Sequence, residues 1–482
     1  MSELNVKTYD GRTTKVDEDA LERFQSNLRG VVLKQGDPGY EEARRVWNGM
    51  IDRHPALIVR CEGAADVIDT IRFARKRDLL ISVKAGGHHA SGRAVCDGGL
   101  MIDLSLMRNI QINVDEGSAR AEAGALLGDL DRESQAFGLA VPAGTVSETG
   151  IAGLTLGGGF GWLSRKHGLT CDNLISADVV TSDGEFVVAS EDESSDLFWG
   201  LKGGGGNFGI VTSFKYQAHP VGPNVLAGAV FHPLDEARTL HDFFREFVRT
   251  LPEEVGTISS FVTLPADPHI PTNLHGIKAA AILVCHSGDV EEGREILRPL
   301  SEFGSPLMDT IAQTTFVDHQ KILDAGAPAG LRNYEKTQYL SDLSDKSVGT
   351  IVEHMENTTS SDSKVIVFQL GGEISRVPDE DSAYTHRDAS YALMIASVWE
   401  DASEEARHIE WARNLWSEMQ PYATGGFYVN FMDDDDGEDR IRAAYGEEKY
   451  SRLSELKNKY DPSNFFRLNQ NIKPSTEHNV EN

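Results

Sequence analysis

The chain has 482 residues, 40% hydrophobic and 25% charged, long enough for more than one domain and for a large core without disulfide staples. Its 75 acidic residues against 46 basic ones give a formal net charge of −29, which argues against a nucleic-acid partner, because phosphate binding needs clustered lysine and arginine. No apolar run reaches the length of a membrane-spanning helix, and the opening MSELNVKTYDGRTTKVDEDA has no apolar signal core; the expectation is a cytoplasmic protein without a membrane partner.

In chain order, DEDALERFQSNLRG reads as an amphipathic helix with Asp17 or Asp19 at its N-cap. ALIVRC is a short apolar strand and AADVIDTIRFARKRD a helix with Val67, Ile68, Ile71 and Phe73 as its apolar positions. LLISVKA is a second strand, so this stretch is a βαβ unit that ends in AGGHHASG. GLMIDLSLM and SARAEAGALLGDLDRESQAFGLAVPAG continue the mixed pattern. Residues 144–211 are rich in glycine, and the texture changes after YQAHPVGPN. From 225 to 425, strands such as GIKAAAILVCH and KVIVFQLGG alternate with helices such as ASEEARHIEWARNLWSEMQ. The tail reads as a helix stopped at DPSN and followed by an extended segment.

The acids are dispersed, and lysine is scarce, 17 against 29 arginines. Such a surface suits concentrated salt, where screening removes self-repulsion, so a halophile-type protein is expected. The run Asp433–Asp436 reads as a solvated loop. Cys61, Cys96, Cys171 and Cys285 show no CxxC or zinc spacing, so they read as reduced core residues with no metal site.

GGGGNFG (203–209) satisfies GxGxxG through Gly204, Gly206 and Gly209. A dinucleotide fingerprint needs a strand before it and a helix after it. Here a helical SSDLFWGLK precedes and a strand-like IVTSFKYQ follows, so that reading is rejected. Glycine clusters at 86–87, 157–159 and 203–206 instead predict loops converging on one large ligand, since glycine permits close backbone approach.

VKAGGHHASGRAVCDGGLMIDLS resembles the corresponding segment of FAD-linked oxidases of the vanillyl-alcohol-oxidase superfamily, in the berberine-bridge-enzyme-like branch. NGMIDRHPALIVRCEGAADV, PAGTVSETGIAGLTLGGGFGWLSRKHGLTCDNL, DLFWGLKGGGGNFGIV and YDPSNFFRLNQNIKP resemble further blocks of that family in the same order. The resemblance implies an α+β fold. Residues 1–220 would be a PCMH-type FAD-binding domain, 221–425 an α+β substrate-binding domain, and 426–482 a C-terminal segment completing the FAD domain.

It implies FAD as cofactor, covalently bonded through His88, whose neutral imidazole can attack the flavin 8α-methylene. Gly86, Gly87, His89, Ala90, Gly92, Thr145, Thr149, Gly150, Gly153, Gly159, Gly161, Ile210, Asn430 and Asn469 are the other implied cofactor-binding residues. Val146 stands where bicovalent relatives carry cysteine, so a single linkage is expected, and Leu154 replaces a histidine of some members. Thr149, shaped like valine at a position that governs oxygen reactivity, favours an oxidase. In GGFYVNFMD, Tyr428 is the implied catalytic residue, to deprotonate or orient a substrate hydroxyl or amine, with a positive neighbour or the flavin lowering its pKa, and a structural tyrosine is the alternative. Tyr384, His386 and Arg387 are second-rank candidates, and His167 reads as structural. The expected activity removes a hydride from a C–H beside a hydroxyl or amine of a small organic substrate and reduces O2 to H2O2. A dehydrogenase with another acceptor and a drug-sequestering flavoprotein are the alternatives.

Overall fold

Strand and helix alternate along the whole chain in the computed structural model, which describes residues 3–433, 435 and 437–475. Asp434 and Asp436 of the acidic run, and residues 476–482, lie outside the described residues. Among those described, no helix is long and apolar enough to cross a membrane, and no group of three or more His, Cys, Asp or Glu could hold a metal.

The first unit forms as the periodicity predicts: strand Leu57–Arg60, helix Ala64–Arg75 and strand Ile81–Lys84. The helix buries Val67, Ile71 and Ala74, positions that recur on one face. The two strands run the same way but are not neighbours. Leu100–Asp103 inserts between them, parallel to both, and Val31–Leu33 closes the outer edge antiparallel. All four residues of Leu100–Asp103 are buried, as suits the middle of a parallel sheet covered on both faces. The glycine–histidine loop leaves the carboxyl end of Ile81–Lys84, the end where such sheets present ligand sites.

A five-stranded antiparallel sheet follows, in the order Phe186–Ser190, Leu174–Val180, Ile210–Gln217, Ser118–Glu122, Ile110–Asn113. Helix Ser195–Leu201 precedes the GGGGNFG run and strand Ile210–Gln217 follows it, the order that rules out a dinucleotide fingerprint. Between 224 and 399 lies an eight-stranded antiparallel sheet whose central path runs Asn224–Pro233, Lys278–His286, Val255–Thr263, Lys364–Gln369, Tyr391–Trp399, Arg332–Leu340. One face of it shares a core with helices Ala237–Phe247, Asp345–Glu356 and Glu405–Met419.

Beyond residue 428 the chain packs against the first two sheets, with Met432, Tyr445, Leu453 and Phe466 in the same core as Leu57 and Phe214. Helix Glu438–Tyr460 is interrupted at Gly446, whose φ of 71° breaks the helical path. Its last turn is held by a fully buried ion pair, Lys457 Nζ to Asp461 Oδ2 at 2.8 Å. Lys457 also donates to the carbonyls of Asn207 and Phe466, and Asp461 accepts from the amides of Phe465 and Phe466. Every lone pair and proton of this buried pair therefore has work near the chain reversal at DPSN. Asp461→Ala strands the ammonium without its counter-charge, and we expect a loss of about 3–5 kcal/mol in urea unfolding.

Candidate active site

Two of the three glycine clusters, 86–87 and 203–206, reach one cavity of about 1360 Å³, whereas Gly157, Gly158 and Gly159 of the third do not line it. Its first wall is made by Gly86–His89, Gly144–Val146, Gly150, Gly153 and Gly205–Gly206. Two of these loops touch backbone to backbone: a Cβ on Gly86 would lie 2.5 Å from the Gly150 α-carbon, and one on Gly150 would lie 2.6 Å from the Gly86 nitrogen. Neither position accepts a side chain. At Gly153 and Gly206 a Cβ would meet nothing within 4 Å. Both line the cavity, so glycine there keeps space open for a ligand.

The opposite wall is the second face of the eight-stranded sheet. Alternate residues point inward, among them Ala281, Ile366, Phe368, Met394, Ala396, Asn333 and Glu335, as the two-residue period of a strand requires.

His88 is buried on the first wall, and its ring stacks on Trp47 at 4.6 Å and 16°. The Trp47 indole N–H donates to the Ala327 carbonyl at 2.8 Å, fixing the plane on which the imidazole rests. Burial pushes His88 down to about 4, so the ring is neutral at pH 7. Its Nε2 is buried without a hydrogen-bond partner. His89 is committed elsewhere: Nδ1 accepts from the Ser91 amide at 3.2 Å, and Nε2 donates to the Val429 carbonyl at 3.2 Å.

Tyr428 is 3% exposed and packs against Phe160 at 4.6 Å and edge-on to Phe431 at 4.9 Å. Its hydroxyl oxygen accepts from the Gly159 amide at 3.0 Å and from Asn430 Nδ2 at 2.8 Å. Among the described residues, no positive group acts on its phenol. Burial pushes the phenol well up, against the smaller opposing effect of the two N–H donors. Tyr428 is a protonated phenol at neutral pH, with both acceptor sites occupied and its hydrogen available to a ligand.

Of the other expected residues, Thr145, Thr149, Ile210, Asn430 and Asn469 line the cavity, and so do Val146 and Leu154. None of the four cysteines does; all are buried free thiols. Ala90, Gly92, Gly159 and Gly161 sit behind the wall. The Ala90 carbonyl accepts from Asn48 Nδ2, a Cβ on Gly92 would overlap Ile51, and one on Gly161 would overlap the Ala143 carbonyl. Arg387 pairs with Asp172 at 2.7 Å, both buried, and the Tyr384 hydroxyl meets that of Tyr339 at 2.8 Å; His386 Nε2 faces the Ala443 carbonyl. His167 stacks on His219 at 3.9 Å.

Sequence reasoning missed Trp47, Glu335 and Lys364, all of which line the cavity. The only trace of the last two was a charge inside an otherwise strand-like run, NYEKTQYL and SKVIVFQL. Burial and the nearby Asp433 carboxylate push Glu335 up to about 8.

Residues 55–190 match the family profile described as FAD binding domain, and residues 427–473 match the profile described as berberine and berberine like. The chain is 30% identical over 464 residues to (R)-6-hydroxynicotine oxidase of Paenarthrobacter nicotinovorans, covering 93% of this chain and 97% of that one. It is 30% identical to chitooligosaccharide oxidase of Gibberella zeae, covering 91% and 92%. The crystal structure of 6-hydroxy-D-nicotine oxidase from Arthrobacter nicotinovorans superimposes with a TM-score of 0.83 at 29% identity, covering 93% of this chain and 98% of that one.

The residues present fit FAD. The open space at Gly153 and Gly206 forms a cradle that a Cβ would fill. Around it stand buried polar atoms without protein partners: His88 Nε2, Asn469 Oδ1, Gln470 Oε1 and the Tyr445 hydroxyl. Gly206 is outside the left-handed backbone region, so Gly206→Val should fold, with an unchanged circular dichroism spectrum. Its purified protein should carry at least about tenfold less FAD by absorbance, because the branched side chain fills the cradle.

Proposed function

The chain belongs to the FAD-linked oxidoreductases with a berberine-like C-terminal segment, and on that footing we propose that it is an oxidase carrying FAD on a single covalent bond to His88. The observation that carries this reading is the neutral, partnerless imidazole edge of His88 on the glycine wall of the same cavity that Tyr428 closes from the other side. FAD held by the glycine wall and His88 would supply hydride acceptance from a substrate C–H beside a hydroxyl or amine and electron transfer to oxygen, giving peroxide.

The chain's own groups bind, orient and exclude water. Trp47 holds the His88 ring in one plane, which leaves its free nitrogen edge aimed at a fixed spot. With no cysteine on the wall and Val146 at the family's second attachment position, there is no group for a second bond. Tyr428 donates its phenolic hydrogen to a lone pair of the substrate heteroatom. The two N–H groups held on its oxygen strengthen that donation through hydrogen-bond cooperativity. It therefore orients the substrate rather than starting as a free base. Phe160 and Phe431 pack on it, with Phe368 against both, and keep water from the reacting carbon. Thr149 on the cavity wall has the shape of valine, which favours oxygen over another electron acceptor.

Denaturing precipitation followed by peptide mass mapping tests the bond. The yellow colour should stay with the peptide containing His88, and His88→Ala should release it into the supernatant. Tyr428→Phe keeps the aromatic packing and removes the donor. It should lower kcat/KM about 100-fold while leaving the flavin attached.

A further inference from the structure

We propose that Glu335 is a specificity-determining residue of this site, an acceptor for the amine group of a substrate with an apolar body; this rests on the oxidase reading above and names its substrate class. Glu335 and Lys364 are both paired with Ala396, from opposite sides, on the three adjacent strands Arg332–Leu340, Tyr391–Trp399 and Lys364–Gln369. Equal register puts all three side chains on one face, the face that lines the cavity, with the two charged residues about 10 Å apart at the backbone. Ala396 between them is too small to fill the gap.

The two groups attract each other through space without touching. Lys364 Nζ is turned to the Gly326 carbonyl, and no ion pair joins it to Glu335. Glu335 is 8% exposed, and no hydrogen bond from the described residues reaches its carboxyl. A buried carboxyl in that state carries a desolvation cost that an arriving donor removes. The charged groups that act on it are Asp433, whose carboxylate accepts the Glu335 amide at 3.2 Å, and Lys364 across Ala396; Asp362 acts on Lys364. Asp362 offsets part of the Lys364 charge, so a cation entering opposite Glu335 meets less opposition from that ammonium. Burial and Asp433 hold Glu335 up to about 8, and a cationic amine opposite it offsets both effects.

The rest of that wall is apolar. Ile366, Met394 and Val398 surround the charged gap and suit a hydrocarbon or aromatic body. Glu335 also lies on the flavin side of the sheet. Two residues before it, the Asn333 carbonyl shares the Asn48 amide with the carbonyl of Ala90 in the glycine–histidine loop. An amine held at Glu335 is thus in the cavity that His88 and Tyr428 line.

The test titrates the purified FAD-loaded enzyme with benzylamine and with benzyl alcohol, which differ in the charge of the head group, and reads binding from the change in flavin absorbance. The wild type should bind benzylamine at least about tenfold tighter, as expected for a hydrogen bond to a charged group. Glu335→Gln should bring that ratio to about one with benzyl alcohol affinity unchanged, and Glu335→Asp should keep part of the preference. A wild type without preference for the amine, or a Glu335→Gln variant that retains it, overturns the assignment. Because the readout is binding rather than turnover, either result leaves the oxidase reading to be judged by His88→Ala and Tyr428→Phe.

Discussion

The backbone contact between Gly86 and Gly150 is the constraint on which the site depends. A Cβ at either position would collide with the main chain of the other, so two loops from distant parts of the chain can meet only because both residues lack one. One loop leaves the parallel strand Ile81–Lys84; the other begins the short helix Ile151–Leu156. Their meeting places His88, Thr149 and Gly153 on one wall. A side chain at Gly86 or Gly150 would part the wall before any ligand arrived, and the Leu126–Gly150 bridge beside it would go with it.

Dryness then sets the chemistry. The same burial acts on three groups and leaves each in its less charged form: His88 neutral, Tyr428 protonated, and Glu335 held up to about 8. For His88 that is the nucleophilic state. For Tyr428 it makes a hydrogen-bond donor, which suits the orienting role. These are not three separate adjustments but one consequence of a cavity walled by glycine backbone on one side and by a mostly apolar sheet face on the other.

The eight-stranded sheet serves two purposes through its two faces. One face is packed with helices and is structural. The other carries alternating small, aromatic and charged residues into the cavity. The C-terminal segment crosses between the two halves: Tyr428 joins the core against the sheet, while Met432, Tyr445 and Phe466 join the core of the first two sheets. The buried Lys457–Asp461 pair fastens that crossing at its far end.

Periodicity and punctuation were enough to read Leu57–Arg60, Ala64–Arg75 and Ile81–Lys84, because their apolar spacing is local and their ends carry turn residues. Local order also settled GGGGNFG, since a helix before it and a strand after it can be read within twenty residues. Five motif blocks in sequence identified the FAD family, and Val146 in place of cysteine was visible as a single letter. What no local pattern contained was pairing. That Leu100–Asp103 inserts between two earlier strands, that Trp47 lies under His88, and that Glu335 and Lys364 flank Ala396 are facts of register between segments far apart in the chain. Burial is likewise a sum over neighbours from several elements, so the protonation of Tyr428 was decided only when Phe160, Gly159 and Asn430 closed around it. Short-range spacing determines elements and motifs; tertiary packing alone decides which side chains share a dry space, because pairing and desolvation depend on what the folded chain brings close.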